Sequence, residues 1–367
     1  MDELINPGLV DHLGSAVTAV EPSLELPALT LARSALEGRR LRNRVDLVRD
    51  ALRADLPGGF PAAERIVDGA LSVPGFSGWM IWPVTEFVTA RALEDGSTPA
   101  FDAGMALLSR LTVELSSEFA IRDMLVARPE RALAIIGTWT GHENEHVRRL
   151  ASEGTRAYLP WAKRVPWLIA NPGGTSGIMD ALYRDPALYV RRSVANHLND
   201  LSRVDPSFVT ATAERWLSDP AADTPWVVRH GLRTLIKKAD PRALALVGYS
   251  GERLRVDRPE VQTAVVRLHE DALTFTARVT NEDDTDAIVA IDYSIGFQRS
   301  NGSISPKTFK LASRRLAPGE SVVVSKTHSF RRITTRTYYP GPHVVTVQAN
   351  GTRSPEADFT VEDAGGA

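Results

Sequence analysis

Up to about Tyr249 the apolar residues recur at helical spacing: Leu107, Leu108, Leu111 and Leu115, then Val190, Val194, Leu198 and Leu201. Pro and Gly fall between these runs, as in Leu159-Pro160, Asn171-Pro172-Gly173-Gly174 and Asp219-Pro220. After Val256 the period drops to two. Leu273 to Val279, Ile288 to Ile295, Ser321 to Ser325 and His343 to Gln348 alternate, with turn clusters at Asn281 to Asp284 and Ala317 to Glu320. About seven short strands in about 110 residues predict an immunoglobulin-like sandwich. The expected fold is mostly α: a HEAT-like α-solenoid over 1–255, followed by a C-terminal all-β immunoglobulin-like sandwich over 256–367.

The solenoid rests on an internal repeat. His146-Val147-Arg148-Arg149-Leu150-Ala151, Tyr189-Val190-Arg191-Arg192-Ser193-Val194 and Val227-Val228-Arg229-His230-Gly231-Leu232 share a Val-Arg pair, spaced 43 and 38 residues apart. A weaker copy is Phe119-Ala120-Ile121-Arg122. A period near 40 with two helices per unit is the mark of stacked HEAT-like repeats, whose second helices line one concave face. On those helices Glu145, Arg149 and Glu153 stand at i, i+4 and i+8. So do Arg192, Asn196 and Asp200, and Arg229, Arg233 and Lys237, while Glu118 and Arg122 are one turn apart. Residues four apart share a helix face, so the stripes align into a polar band of mixed sign. A plain row of solvated ion pairs gives the same pattern. Acids among the bases are odd for a simple phosphate groove.

Composition sharpens this. The formal net charge is −2, but the first 139 residues carry 13 basic against 19 acidic side chains, and residues 140–240 carry 14 against 11. A basic middle beside an acidic start suits a polyanion partner. The absence of cysteine excludes disulfides, thiolate metal sites and a Cys nucleophile. Met1-Asp2-Glu3-Leu4 has no basic region followed by an apolar one, and no apolar run approaches the roughly 18 residues of a membrane span. A cytoplasmic monomer without membrane contact, cofactor or metal is expected.

Two motifs are set aside. His142-Glu143-Asn144-Glu145-His146 matches H-E-x-x-H, but Glu145 puts a charge where the zinc-protease helix is uncharged, and no third ligand follows at the familiar spacings. Gly173-Gly174-Thr175-Ser176-Gly177 looks like a phosphate loop but lacks Lys and follows no strand, so a linker or helix cap is expected. Most of the seven tryptophans are read as packing.

The words Val147-Arg148-Arg149-Leu150-Ala151-Ser152-Glu153-Gly154-Thr155-Arg156 with Leu159-Pro160-Trp161-Ala162, then Ser193 to Asp200, then His230 to Lys238 with Pro241 and Gly248-Tyr249, fall within a resemblance that covers residues 79–250. Here the chain resembles the AlkC branch of HEAT-like-repeat DNA alkylation repair glycosylases, some of which carry an immunoglobulin-like domain. It departs from the pattern at Ala157-Tyr158, where a Pro-Arg pair is expected, which bears on a phosphate contact from that turn. The resemblance implies a monofunctional N-glycosylase of base excision repair. Such an enzyme removes 3-methyladenine and 3-methylcytosine from double-stranded DNA and leaves the damaged base in the stack. It also implies Glu118, Glu153 and Asp200 as catalytic residues, with Trp161 beside the lesion.

The expected DNA contacts are Arg148, Arg149, Arg156, Arg191, Arg192, Arg229, Arg233, Lys237 and Lys238. Arg331, Arg332 and Arg336 join them from the donor-rich segment Ser329 to Pro340 of the sandwich. A catalytically silent DNA-binding repeat protein, and a protein-binding scaffold with an adhesion-type sandwich, are the competing readings.

Overall fold

The computed structural model describes residues 2–333 and 336–363. Two compact units divide it: residues 1–209 with 219–231, and residues 210–218 with the chain from Leu232 onward.

The first unit is helical. Helices Leu41–Asp55, Ile81–Asp95 and Ile121–Ala127 pack in succession, as do Glu145–Glu153, Leu188–Leu201 and Thr224–Gly231. The two sets meet where Gly154 lies against Ile121; a Cβ there would stand 2.8 Å from Ile121 Cγ2. Outer helices Gly59–Ala70, Thr98–Leu111, Pro129–Thr138 and Ser176–Leu182 back this row. The repeated valines Val147, Val190 and Val228 are all buried, which is why they recur: each is the apolar contact of one row helix with its neighbours. Sequence signals set the helix starts. Asn6, Ser97 and Asn144 each accept a backbone N–H of the first turn, and Pro7, Pro27 and Pro129 occupy first-turn positions where no N–H is missed.

Two of the expected charged stripes are broken by the backbone. Glu118 lies in the turn before helix Ile121–Ala127, so it and Arg122 do not share a helix face. The helix that carries Arg229 ends at Gly231, and Arg233 and Lys237 belong to a separate short helix, Arg233–Lys237, in the second unit.

The second unit holds the sandwich. In one sheet strand Ala272–Asn281 pairs with Leu254–Val256, Glu260–Val261 and Ser321–Ser329. The other runs in the order Val265–Arg267, Ala357–Glu362, Gly341–Ala349, Ala287–Gln298, Ile304–Leu316, with Thr352–Arg353 on Gly341–Ala349. The four strands read from alternation are all present and longer than expected. The strand Ile304–Leu316 was missed because Lys307, Lys310, Arg314 and Arg315 leave it little apolar alternation. Phe275, Tyr293, Ile295, Phe330 and Val347 form the core between the sheets. Leu244 and Tyr249, from the segment before the first strand, pack on Ala290. Gln348 Nε2 donates to Lys237 O at 3.2 Å, and Asn350 Nδ2 donates to Ser250 O and Ile288 O. This compact unit therefore starts earlier than the 255/256 division read from the change of period.

Two outcomes follow from this packing. Gly104 stands where a Cβ would be 2.8 Å from the Cβ of Ala92 on the adjoining helix. Gly104→Ala should lower stability by about 1–3 kcal/mol through overpacking, measured by denaturant titration. His197 is fully buried, with its Nε2 3.0 Å from Thr175 Oγ1. Burial, helped by the nearby charges of Arg156 and Arg122, pulls its pKa down to about 3. The unfolded chain therefore binds a proton at His197 that the folded chain refuses. Its contribution is fully present above about pH 6.5 and is lost below it at about 1.4 kcal/mol per pH unit. Melting temperature should fall on acidification from pH 6.5 to 4.5, and less steeply in His197→Gln.

Candidate active site

Helix Glu145–Glu153 and helix Leu188–Leu201 lie side by side, and their polar residues meet those of the turn before Ile121. Arg149 Nη1 donates to Glu118 Oε2 at 2.7 Å and to Ser116 Oγ at 3.0 Å, and its Nη2 lies 3.4 Å from Glu153 Oε1. Arg156 Nη1 donates to Glu153 Oε1 at 2.7 Å, and its Nε donates to Asp200 Oδ2 at 2.9 Å. Ser193 Oγ completes Glu153 by donating to Oε2 at 2.6 Å. The result is one chain of charges, Glu118, Arg149, Glu153, Arg156, Asp200. Burial works against both arginine charges, yet the neighbouring carboxylates outweigh it and hold each pKa above its ordinary value. Tyr189 lies 5.0 Å under the Arg149 guanidinium, and burial raises its phenol pKa.

Glu118, Glu153 and Arg156 line one side of a cleft of about 350 Å³. The rest of its wall is apolar and aromatic: Trp79, Trp82, Phe119, Leu159, Pro160 and Trp161, with Leu4 and Leu41. Trp82 stacks on Phe119 with centroids 4.7 Å apart, and Trp82 Nε1 donates to the buried Glu86 at 2.9 Å. Arg42 grips both oxygens of Glu86, at 2.5 and 2.7 Å. Trp161 is 86% exposed and holds φ at +62°, the left-handed region that a non-glycine residue occupies at a cost. A large ring kept in water on a strained backbone is the arrangement of a binding side chain rather than a packing one.

The turn that carries Trp161 is fixed from inside. Arg122 is wholly buried and donates to the carbonyls of Gly154, Arg156 and Lys163. Burial, with the charges of Arg164 and Arg156 close by, pulls its pKa down to about 10.

The expected site residues therefore separate. Glu118, Glu153 and Trp161 line the cleft together. Asp200 sits behind Arg156 and holds it, away from the cleft wall. The expectation of phosphate contact from Arg148, Arg149, Arg156 and Arg191 meets a different arrangement. Arg148 pairs with Asp185 and donates to the carbonyls of His142 and Glu143. Arg191 is buried against the carbonyls of Asp185 and Pro186 and pairs with Asp223. Arg192 is exposed and has no carboxylate partner among the described residues; Arg229, Lys237 and Lys238 are exposed and Arg233 is half-buried. In the sandwich unit Arg331 and Arg332 are exposed, while Arg336 lies 4.1 Å over the Phe297 ring. Thr334 and Thr335 lie outside the described residues.

His142 precedes the helix, which opens at Glu145 with Asn144 as its cap, so the two histidines of H-E-x-x-H do not share a helix face. Trp79, Trp82, Phe119 and Glu86 were not among the expected site residues; Phe119 stood only in the weak repeat copy, and most of the tryptophans were read as packing. The spacing of Trp82 and Glu86, i and i+4 on one helix, was the available signal.

Residues 255–363 match the family described as the C-terminal Ig-like domain of the uncharacterised protein YhaZ. The chain is 34% identical to YhaZ of Bacillus subtilis (strain 168) over 324 residues, 88% of this chain and 87% of that one. Among solved structures, the Pseudomonas fluorescens alkylpurine DNA glycosylase AlkC, bound to DNA containing an abasic site analog, is similar with a TM-score of 0.86. It is 33% identical, and the match covers 98% of this chain and 99% of that one. Likeness of this extent in both sequence and fold, running through the helical unit and the sandwich alike, means that the chain belongs to the family of AlkC and YhaZ.

Proposed function

We propose that the protein is a DNA glycosylase that excises small cationic N-alkylated bases, 3-methyladenine and 3-methylcytosine, from duplex DNA. The observation that carries this is the row of carboxylates bridged by arginines that opens on an aromatic cleft with an exposed tryptophan. Its likeness to AlkC, which is bound to DNA in its solved structure, supports DNA as the partner.

N3-methylation leaves a base positively charged and a good leaving group, so no general acid is needed. As the glycosidic bond breaks, positive charge moves onto the sugar. Glu118 and Glu153, which line the cleft, are the groups that would stabilise that charge, and one of them would orient the attacking water. One carboxylate about 4 Å from the charge, at an effective dielectric near 20, supplies roughly 4 kcal/mol before desolvation, up to about a thousandfold in rate. Glu118 Oε1 accepts no hydrogen bond among the described residues, which leaves it lone pairs for a water. Asp200 acts through Arg156, whose position it sets. Trp161 and Trp79 offer ring faces to a cationic base or to deoxyribose, an attraction of about 0.5–2 kcal/mol. In this reading the enzyme acts on the lesion without base flipping, with the damaged base left in the stack.

Base release from methylated duplex DNA, with the products identified by mass, tests the reaction. Glu153→Gln and Asp200→Asn should each lower single-turnover excision by about a hundredfold with near-normal folding. Excision at the wild-type rate in both would end the assignment. A wild-type protein that binds duplex DNA and releases no base would favour the silent binding protein instead.

Binding supplies a second expectation. With about five phosphate contacts among Arg192, Arg229, Lys237, Lys238, Arg331 and Arg332, the log–log salt slope of affinity should be near −5. The pair Arg331→Ala and Arg332→Ala should make it less steep by about 2 and weaken binding. Titration of labelled duplex at several salt concentrations measures both, and an unchanged slope in the pair would remove the sandwich from the DNA contact.

A further inference from the structure

The turn that leads into Trp161 carries a second feature, which the cleft chemistry does not use. The ring of Tyr158 has two guanidinium groups against it: Arg164 lies 4.9 Å from its centroid and Arg203 5.0 Å. Arg164 follows Trp161 by three residues, and Arg203 stands just past the end of helix Leu188–Leu201. Both arginines are exposed. Neither has a carboxylate partner among the described residues, whereas Arg148, Arg149, Arg156 and Arg191 of the same unit all do. Arg164 spends one donor, Nη1, on Leu159 O at 3.1 Å, and the nearest acid in sequence to Arg203, Asp205, accepts from Phe208 N–H.

An aromatic face holds a guanidinium without neutralising it and leaves the donors on the guanidinium edge free. Two such groups gathered on one ring repel each other, so the free protein keeps a local excess of positive charge. That excess is felt inside, because Arg164 is the foremost charge acting against the buried Arg122. An anion with several oxygens relieves it, and forked N–H donors suit a phosphodiester.

We propose that Tyr158, Arg164 and Arg203 form a clamp for a backbone phosphate of duplex DNA next to the lesion cleft. This rests on the reading of the protein as one that acts on duplex DNA. Tyr158 is a positioning residue, and the two arginines make the contact. The clamp lies on the same turn as Trp161, so a phosphate seated in it sets where the neighbouring nucleotide meets the cleft.

The test is binding of the full-length protein to a labelled duplex across a salt series. The double variant Arg164→Ala/Arg203→Ala removes one phosphate contact, so it should make the log–log slope less steep by about 1 and raise Kd roughly tenfold near 0.1 M salt. Tyr158→Phe should keep wild-type binding, because the ring suffices, and Tyr158→Ala should lose affinity with both arginines present. Arg131→Ala, which removes an arginine paired with Asp102, is the control and should keep the wild-type slope. A double variant with the wild-type slope, beside a wild type that binds steeply, overturns the clamp alone. A wild type without salt-dependent binding overturns both the clamp and the duplex reading. Competition by inorganic phosphate well beyond that of chloride at equal ionic strength, lost in the double variant, would assign the site to a free anion and also overturn the backbone clamp.

Discussion

Arg156 links two helices of the row by its side chain alone. It takes Glu153 from the end of one helix and Asp200 from the next, and all three are nearly out of solvent. Burying these ions is expensive, and what offsets the cost is geometry: distinct donors of one guanidinium reach different carboxylates. Lysine has the charge but not the fork, so it could not hold both partners in place. The register of Leu188–Leu201 against Glu145–Glu153 is tied to this contact, and the placement of Glu118 follows from it through Glu153 and Arg149. Removing one partner of such a pair leaves an uncompensated buried charge, typically a loss of about 3–5 kcal/mol. Isosteric neutralisation of a carboxylate is therefore a gentler probe than truncation.

The helical unit shows how a stack of simple repeats becomes a specific site. Apolar contacts such as Val147, Val190 and Val228 recur because each row helix meets the same kind of neighbour. Beside them Arg148 and Arg191 also recur, each donating to the carbonyls six and five residues before it and pairing with an aspartate, whereas the next polar position diverges. Where the first repeat word has Arg149 pairing with Glu118, the second has Arg192 in solvent. One position in a repeated frame serves to hold a carboxylate in one helix and to meet solvent in another.

Much of this was legible beforehand, for definite reasons. The change from helical to alternating periodicity located the sandwich, and the Val-Arg repeat located the row helices, since both depend on burial that each residue's own hydrophobicity reports. Glu118, Glu153 and Trp161 came from the family's wording and meet in one cleft. Helix interruptions escaped: Gly231, a residue that often ends helices, was the signal that this helix stops before Arg233, and the charge spacing of Arg229, Arg233 and Lys237 ran across it. Partners distant in sequence escaped as well. Arg148 and Arg191 look like phosphate ligands until Asp185 and Asp223 are placed beside them, and Tyr158 looks like a lone departure until Arg203, from another helix end, comes against it. Residue type gives the charge available, and tertiary contact decides how much of it is already spent.

Trp161 has an optical consequence. Trp82, Trp139 and Trp216 are buried, Trp167 is half-buried, and Trp79 and Trp226 are little more than a third exposed, whereas Trp161 stands in water. An indole in water emits at longer wavelength than one in an apolar core, so the red edge of the emission band comes chiefly from this one ring. Its backbone is pinned by the Arg122 hydrogen bonds to the turn. The colour of the emission therefore tracks the ring's surroundings rather than the folding of its loop, and the unlabelled protein carries its own reporter of whatever covers the cleft.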